Sequence, residues 1–130
     1  MSIITRIRAL GLPEDQIVVI GGGLLDAYGL RGANDIDLVV TPALFSQLEA
    51  LGTYEKGSRG AEQYLINDDV DIWQSWGEGN DFAKLHSSGV MVDGIMFVNP
   101  QFLIEQKRER GTEKDLRDIA LLEGYLRERR

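Results

Sequence analysis

The sequence predicts a mixed α/β (α+β) domain, a mixed β-sheet with helices packed on it. Three observations lead there. Between Ile17 and Val40 a β-branched run, a glycine cluster, a short helix-forming stretch and a second β-branched run follow in quick succession. Between Tyr54 and Val98 short apolar runs are separated by turn-forming pairs such as Asn67-Asp68 and Asp93-Gly94. Both ends of the chain carry apolar residues at helical spacing. Strands alternating with helices early and clustering later suit a mixed sheet. At 130 residues and 43% hydrophobic, the chain is expected to form one domain, residues 1–130, around one core.

Taken in order, Ile3, Ile4, Ile7 and Leu10 form one stripe of a short helix over 2–10, with Arg6 and Arg8 off that stripe. Leu12-Pro13-Glu14-Asp15 turns into a strand at Ile17–Ile20, which runs directly into Gly21, Gly22 and Gly23. A strand that enters a helix through glycine leaves backbone N–H groups open to a phosphate, and a helix start favours negative charge. The helix is expected over Leu24 to Leu30, with Gly29 as its stop. Then comes Asp35-Ile36-Asp37-Leu38-Val39-Val40. Residues two apart on a strand share a face, so Asp35 and Asp37 stand together opposite Ile36 and Leu38. Paired carboxylates resist burial unless a cation joins them, and hard oxygen ligands suit Mg²⁺.

Thr41-Pro42 opens the next helix as N-cap and first residue. Leu44, Phe45, Leu48 and Leu51 form its core stripe and Gly52 ends it. A short strand follows from Tyr54 to Gly57, then a turn at Ser58-Arg59-Gly60 where Arg59 can reach a phosphate or stay solvated. Strands at Glu62–Ile66 and Val70–Trp73 flank a turn at Asn67-Asp68. Residues 74–88 read as a loop with a short helix starting at Asp81. His86 is expected in a polar, solvated setting, and the acceptor side of any site is expected where this loop leaves the sheet open. Trp73 and Trp76 serve either packing or stacking on a base. Two short strands meet at Asp93-Gly94. Asn99-Pro100 starts a helix that Gly111 breaks, and Thr112 caps the last one with Asp115 as its capping-box partner. Leu116, Ile119, Ala120, Leu122 and Leu126 are its expected core face.

Composition narrows the function. A net charge of -7 disfavours a broad electrostatic grip on nucleic acid. It leaves room for a nucleotide, because a bound metal supplies local positive charge. Without cysteine there are no disulfides or thiolate zinc sites. The first residues carry Arg6 and Arg8 and no apolar core of a signal peptide, and no stretch has the length of a membrane span; a cytoplasmic protein with no membrane partner is the expectation. A Walker A loop needs lysine after the glycines, and none follows. The Rossmann fingerprint needs a small residue where Asp26 stands.

Gly-Gly followed about a dozen residues later by Asp-apolar-Asp resembles the DNA polymerase beta-like nucleotidyltransferases, and more narrowly the small bacterial members, minimal or of toxin–antitoxin type. Gly21, Gly22, Gly29, Arg31, Asp35 and Asp37 carry the likeness, with Gly22-Gly23 as the other register of the glycine pair and Asn34 where the pattern often has Ser or Thr. The resemblance implies a nucleotidyltransferase fold and a third carboxylate in an apolar-Asp-apolar triplet. Asp71, in Val70-Asp71-Ile72, fits better than Asp69. It also implies a lysine on the penultimate helix, matched by Lys107, and an arginine before Lys-Asp, matched by Arg108 or Arg110 before Lys114-Asp115. Asp115 and Asp118 would hold the basic side chains in place. Mixed charges of this kind also simply form a solvated face.

The implied reaction is transfer of a nucleoside monophosphate from a nucleoside triphosphate to a hydroxyl: a protein side chain, an RNA end or a small molecule. Asp35, Asp37 and Asp71 would be catalytic and hold Mg²⁺ or Mn²⁺. Gly21, Gly22, Gly23, Arg31, Lys107 and Lys114 would hold the triphosphate. A partner protein could supply the acceptor. The alternative is an inactive nucleotide-binding or interaction module on the same fold.

Overall fold

The computed structural model describes residues 2–129. Seven strands form one mixed sheet, with six helices and one 3-10 turn (Glu14–Gln16) among the described residues. The strands are β1 (Ile17–Ile20), β2 (Ile36–Val40), β3 (Glu55–Arg59), β4 (Glu62–Asn67), β5 (Val70–Trp73), β6 (Val90–Val92) and β7 (Ile95–Phe97). The helices are α1 (Ile3–Ala9), α2 (Gly23–Ala27), α3 (Pro42–Leu51), α4 (Phe82–Ser88), α5 (Pro100–Arg110) and α6 (Glu113–Glu128). The spatial order is β3-β4-β5-β2-β1-β7-β6. β2 runs antiparallel to β1 and parallel to β5, and β1 is parallel to β7.

The core follows from the strand compositions. All four residues of β1 are buried, as a β-branched run at the centre of a sheet must be. They join Leu38, Val39, Val40, Ile72, Phe97, Leu103 and Leu122 in one continuous apolar cluster. α4 and α2 pack on β1, α1 on α2, and α5 on α6.

Local chemistry sets the boundaries. Thr41 accepts from the Leu44 amide and Gly52 closes α3 with φ of 74°. Asn99 accepts from the amides of Gln101 and Phe102 at the start of α5, and Gly111 ends it. Thr112 and Asp115 form a reciprocal capping box on α6. Asp93 and Gly94 both have positive φ, as a two-residue hairpin turn between β6 and β7 requires.

Several expectations are corrected. α2 stops at Ala27, short of Leu30: the Tyr28 amide still makes the helical bond to Leu24 O, but the Gly29 amide makes a tighter bond to Asp26 O at 2.9 Å and Gly29, with φ of 74°, turns the chain. Arg59 lies on β3 rather than in a turn, since β3 and β4 pair through Arg59–Glu62 and the reversal falls on Gly60 and Ala61. His86 sits half-buried on α4, its ring 5.0 Å from Phe82, not in an open loop. Leu51 and Leu116 are exposed, as is Ala120. For α6 the cause is electrostatic: the helix turns Asp115 and Asp118 inward to meet cations, and Ile119 and Leu122 complete that face.

Candidate functional site

Antiparallel pairing of β1 and β2 decides where the chemistry gathers. Ile20, the last residue of β1, is the register partner of Asp37, so the glycine turn leaves the sheet beside the aspartates. Gly21 has φ of 67°, and a Cβ there would lie 3.2 Å from Asp37 Oδ2. Only glycine gives both the left-handed backbone and the close approach. Parallel pairing of β2 and β5 adds the third carboxylate, with Asp71 the direct partner of Asp37.

Burial pushes the Asp37 carboxyl up to about 6, reinforced by the neighbouring charges of Asp71 and Asp35. Asp71 is also raised, first by burial and then by Asp35, while its hydrogen bond with Asp37 works the other way. Among the described residues none of these three carboxylates forms a salt bridge. Beneath them Trp73, two residues after Asp71 on the same face, is buried. Its indole N–H has no partner of good hydrogen-bond geometry, yet it favours the ionised Asp37.

Opposite the carboxylates stands a cationic wall. Arg31 makes a two-pronged bond to Asp118, Nε to Oδ1 at 2.7 Å and Nη2 to Oδ2 at 2.8 Å. Lys107, buried on α5, donates to Asp118 Oδ2 at 2.9 Å and lies 3.7 Å from Asp115. Burial works to raise Asp118, but the Arg31 and Lys107 bonds outweigh it and bring its carboxyl down to about 2. Arg110 reaches Asp115 at 3.0 Å from an exposed position. Three cations share two carboxylates, which leaves this wall with surplus positive charge. Lys114 is exposed, pairs with no carboxylate among the described residues, and adds to the surplus.

Between the two walls lies a cleft of about 380 Å³, lined by Gly21, Gly22, Arg31, Asp35, Asp37, Lys107 and Lys114 among others. Asp71 touches this site through Asp37 rather than lining the cleft itself. Gly22 has a different role from Gly21: a Cβ on it would come within 2.8 Å of Arg31 Nη2, so its bareness lets the guanidinium close over the turn. Gly23 faces away from the cleft. It is buried, and a Cβ would strike Val19 at 2.6 Å. Asp69 is spent on Arg6 at 2.6 Å and does not join the carboxylates. Arg108 is held by Glu123 at 3.5 Å, which leaves Arg110, of the two arginines on α5, as the one that lines the cleft.

Two positioning residues escaped the sequence reading. Arg6 donates to the carbonyls of Ala33 and Asn34 and to Asp69, each at 2.6 Å, tying the loop before Asp35 to the start of β5. Asp26 accepts from the amides of Ile3 and Ala33 at 3.0 Å each and fixes the same loop from below. These contacts join residues far apart in the chain, so local sequence held no signal for them.

The donor set suits a hard divalent cation: three carboxylates, mutually repelling and without a cation of their own. Among the described residues, as the side chains stand, no group of three or more His, Cys, Asp or Glu is close enough to hold a metal ion, the three aspartates included. No described helix is long and apolar enough to cross a membrane. Fold and site together describe a mixed α/β protein with a carboxylate cluster facing a cationic wall. Comparison with protein-family models, curated proteins and solved structures found no match in any of the three.

Proposed function

We propose that this protein is a metal-dependent nucleotidyltransferase on a DNA polymerase beta-like nucleotidyltransferase fold. It would move a nucleoside monophosphate from a nucleoside triphosphate to a hydroxyl acceptor. One observation carries the reading: Asp37 and Asp71 are register partners on parallel strands, and Asp37 shares one cleft with Gly21, Arg31, Lys107 and Lys114.

Each wall suits one part of such a substrate. Arg31 and Lys107 are preorganised by Asp118, so they meet a polyphosphate without first losing side-chain freedom. Arg110 and Lys114, exposed at the rim, are placed to hold the charge that develops on departing pyrophosphate. Asp35, Asp37 and Asp71 would hold Mg²⁺ or Mn²⁺. A bound divalent cation supplies charge neutralisation at the phosphates and lowers the pKa of a nearby hydroxyl. Arg6 and Asp26 fix the loop that carries Asp35, which favours positioning as the main catalytic contribution.

The second reading is a binding-only module on the same fold. It draws on Asp71, which stands behind Asp37 rather than on the cleft surface. Label transfer separates the two. With Mg²⁺ and protein, RNA or small-molecule acceptor fractions, α-labelled nucleoside triphosphate should pass label to an acceptor, γ-labelled should not, and Asp71→Asn should abolish transfer. Mg²⁺-dependent triphosphate binding with no transfer to any of the three classes would favour the binding module.

A further inference from the structure

A second cleft, of about 450 Å³, opens beside the first. Gly21, Trp76 and Arg110 line both, so the two form one continuous trough past the glycine turn. Their walls differ in kind. The first is dominated by charged groups, and among the described residues Trp76 is its one aromatic lining residue. The second brings together a flat ring, the apolar Leu103, the carboxylates Glu62 and Glu109, and the arginines Arg59 and Arg110.

Trp76 is held from behind. Its ring meets Trp73 edge-on at 5.1 Å, and Trp73 is stacked on Tyr64 at 4.1 Å. That packing fixes the indole without covering it, and Trp76 remains half-exposed at the junction of the clefts. Arg59, from β3, lies 5.5 Å over the ring and adds a second planar, polarisable group. Buried Leu103 gives the cleft an apolar surface. Glu62 and Glu109 offer carboxylate acceptors, and Gln106 an amide.

We propose that this second cleft is the nucleobase subsite, and that it selects bases carrying an exocyclic amino group. The inference rests on the nucleotide reading above. A triphosphate in the charged cleft reaches past Gly21 and Arg110, and the base arrives at Trp76. Aromatic and guanidinium faces stack on any base, so they supply affinity without choice. Carboxylates accept from amino groups and repel carbonyl edges, so Glu62 and Glu109 favour adenine, cytosine or guanine over uracil.

The test compares nucleotides with inorganic tripolyphosphate, which has no base, by calorimetric titration of the full chain with Mg²⁺. Wild type should bind ATP, and at least one other amino-bearing nucleotide, more tightly than UTP, with tripolyphosphate weakest. Trp76→Ala should weaken ATP by roughly 5- to 150-fold, the range of one base stack, and leave tripolyphosphate unchanged. Trp76→Phe should restore most of the loss. Arg59→Ala, an exposed change, should weaken ATP less and again spare tripolyphosphate. The double change Glu62→Gln with Glu109→Gln should erase the preference over UTP.

If Trp76→Ala and Arg59→Ala leave ATP binding intact while tripolyphosphate still binds with Mg²⁺, the base lies elsewhere and the subsite is wrong although the nucleotide reading stands. Equal loss of ATP and tripolyphosphate in Trp76→Ala that Trp76→Phe fails to restore, with Arg59→Ala sparing both, also overturns it. If wild type binds neither ligand, the nucleotide reading falls and the subsite with it.

Discussion

Asp37 and Asp71 are register partners across two parallel strands, and among the described residues neither forms a salt bridge with a cation. Neighbouring strands stand about 4.8 Å apart, so two carboxylates are held close by backbone hydrogen bonding alone. The sheet imposes this repulsion, and the fold bears its cost.

That cost has a sign and a pH window. Burial, Asp71 and Asp35 raise Asp37 from an ordinary 3.8 to about 6. Between those values the unfolded chain releases its proton first, so metal-free protein should lose stability as pH rises from about 4 to 6, on the order of 2 kcal/mol. Asp118 acts in the opposite sense and a lower window: lowered to about 2, it stabilises above about 4 and that support is lost as pH falls towards 2. Urea midpoints at pH 4, 5, 6 and 7 in EDTA should fall with pH in wild type and fall less steeply in Asp37→Asn, where Asp71 stays raised by burial and by Asp35. A wild-type midpoint that rises across that range would contradict the assignment.

Removing Asp118 should be far worse than removing any cleft carboxylate. Asp118→Ala strands buried Lys107 and unpairs Arg31. Breaking one partner from a buried ion cluster costs roughly 3–5 kcal/mol. Urea unfolding checks it; a loss below about 1 kcal/mol would mean that Lys107 finds water or another carboxylate easily.

Gly21→Ala and Gly29→Ala separate backbone strain from site geometry. Both positions have positive φ, 67° and 74°, so each should lose about 1–2 kcal/mol. Gly29 has open space around it, whereas a methyl on Gly21 meets Asp37 Oδ2 at 3.2 Å. Only Gly21→Ala should weaken Mg²⁺-dependent triphosphate binding. Equal binding by the two variants would show that the close approach to Asp37 is incidental.

Trp73→Phe keeps an aromatic ring against Tyr64 and deletes the indole N–H beneath Asp37. A buried donor without a good partner is a burden to the fold, so stability should change little or rise. Mg²⁺ affinity should fall several-fold, because the group that favours ionised Asp37 is gone. Unchanged Mg²⁺ affinity would make Trp73 a packing residue only.

How much of this was legible depended on distance along the chain. Ile17 to Val40 could be read because its strand, turn and aspartates are local and their alternation has a fixed period. Alternation alone leaves Asp69 and Asp71 on one face; the resemblance points to Asp71 through its apolar-Asp-apolar triplet, and in the structure Asp69 is drawn off by Arg6. In α6, apolar spacing alone points Leu116 and Ala120 inward, whereas the face that carries Asp115 and Asp118 to their cations is the one that is buried. Arg6, Asp26 and the Trp73 N–H become visible only when residues 7 to 63 positions from their partners are brought together.

The central claim is that Asp35 and Asp37 make nucleotide binding metal-dependent. Calorimetric titration of ATP into wild type and into Asp35→Ala with Asp37→Ala, each with Mg²⁺ and with EDTA, measures it directly. Wild type should bind at least ten-fold more tightly with Mg²⁺. The double variant should stay folded, bind ATP weakly through Arg31, Lys107 and Lys114, and show no difference between Mg²⁺ and EDTA. A double variant that keeps the wild-type metal dependence would contradict the account.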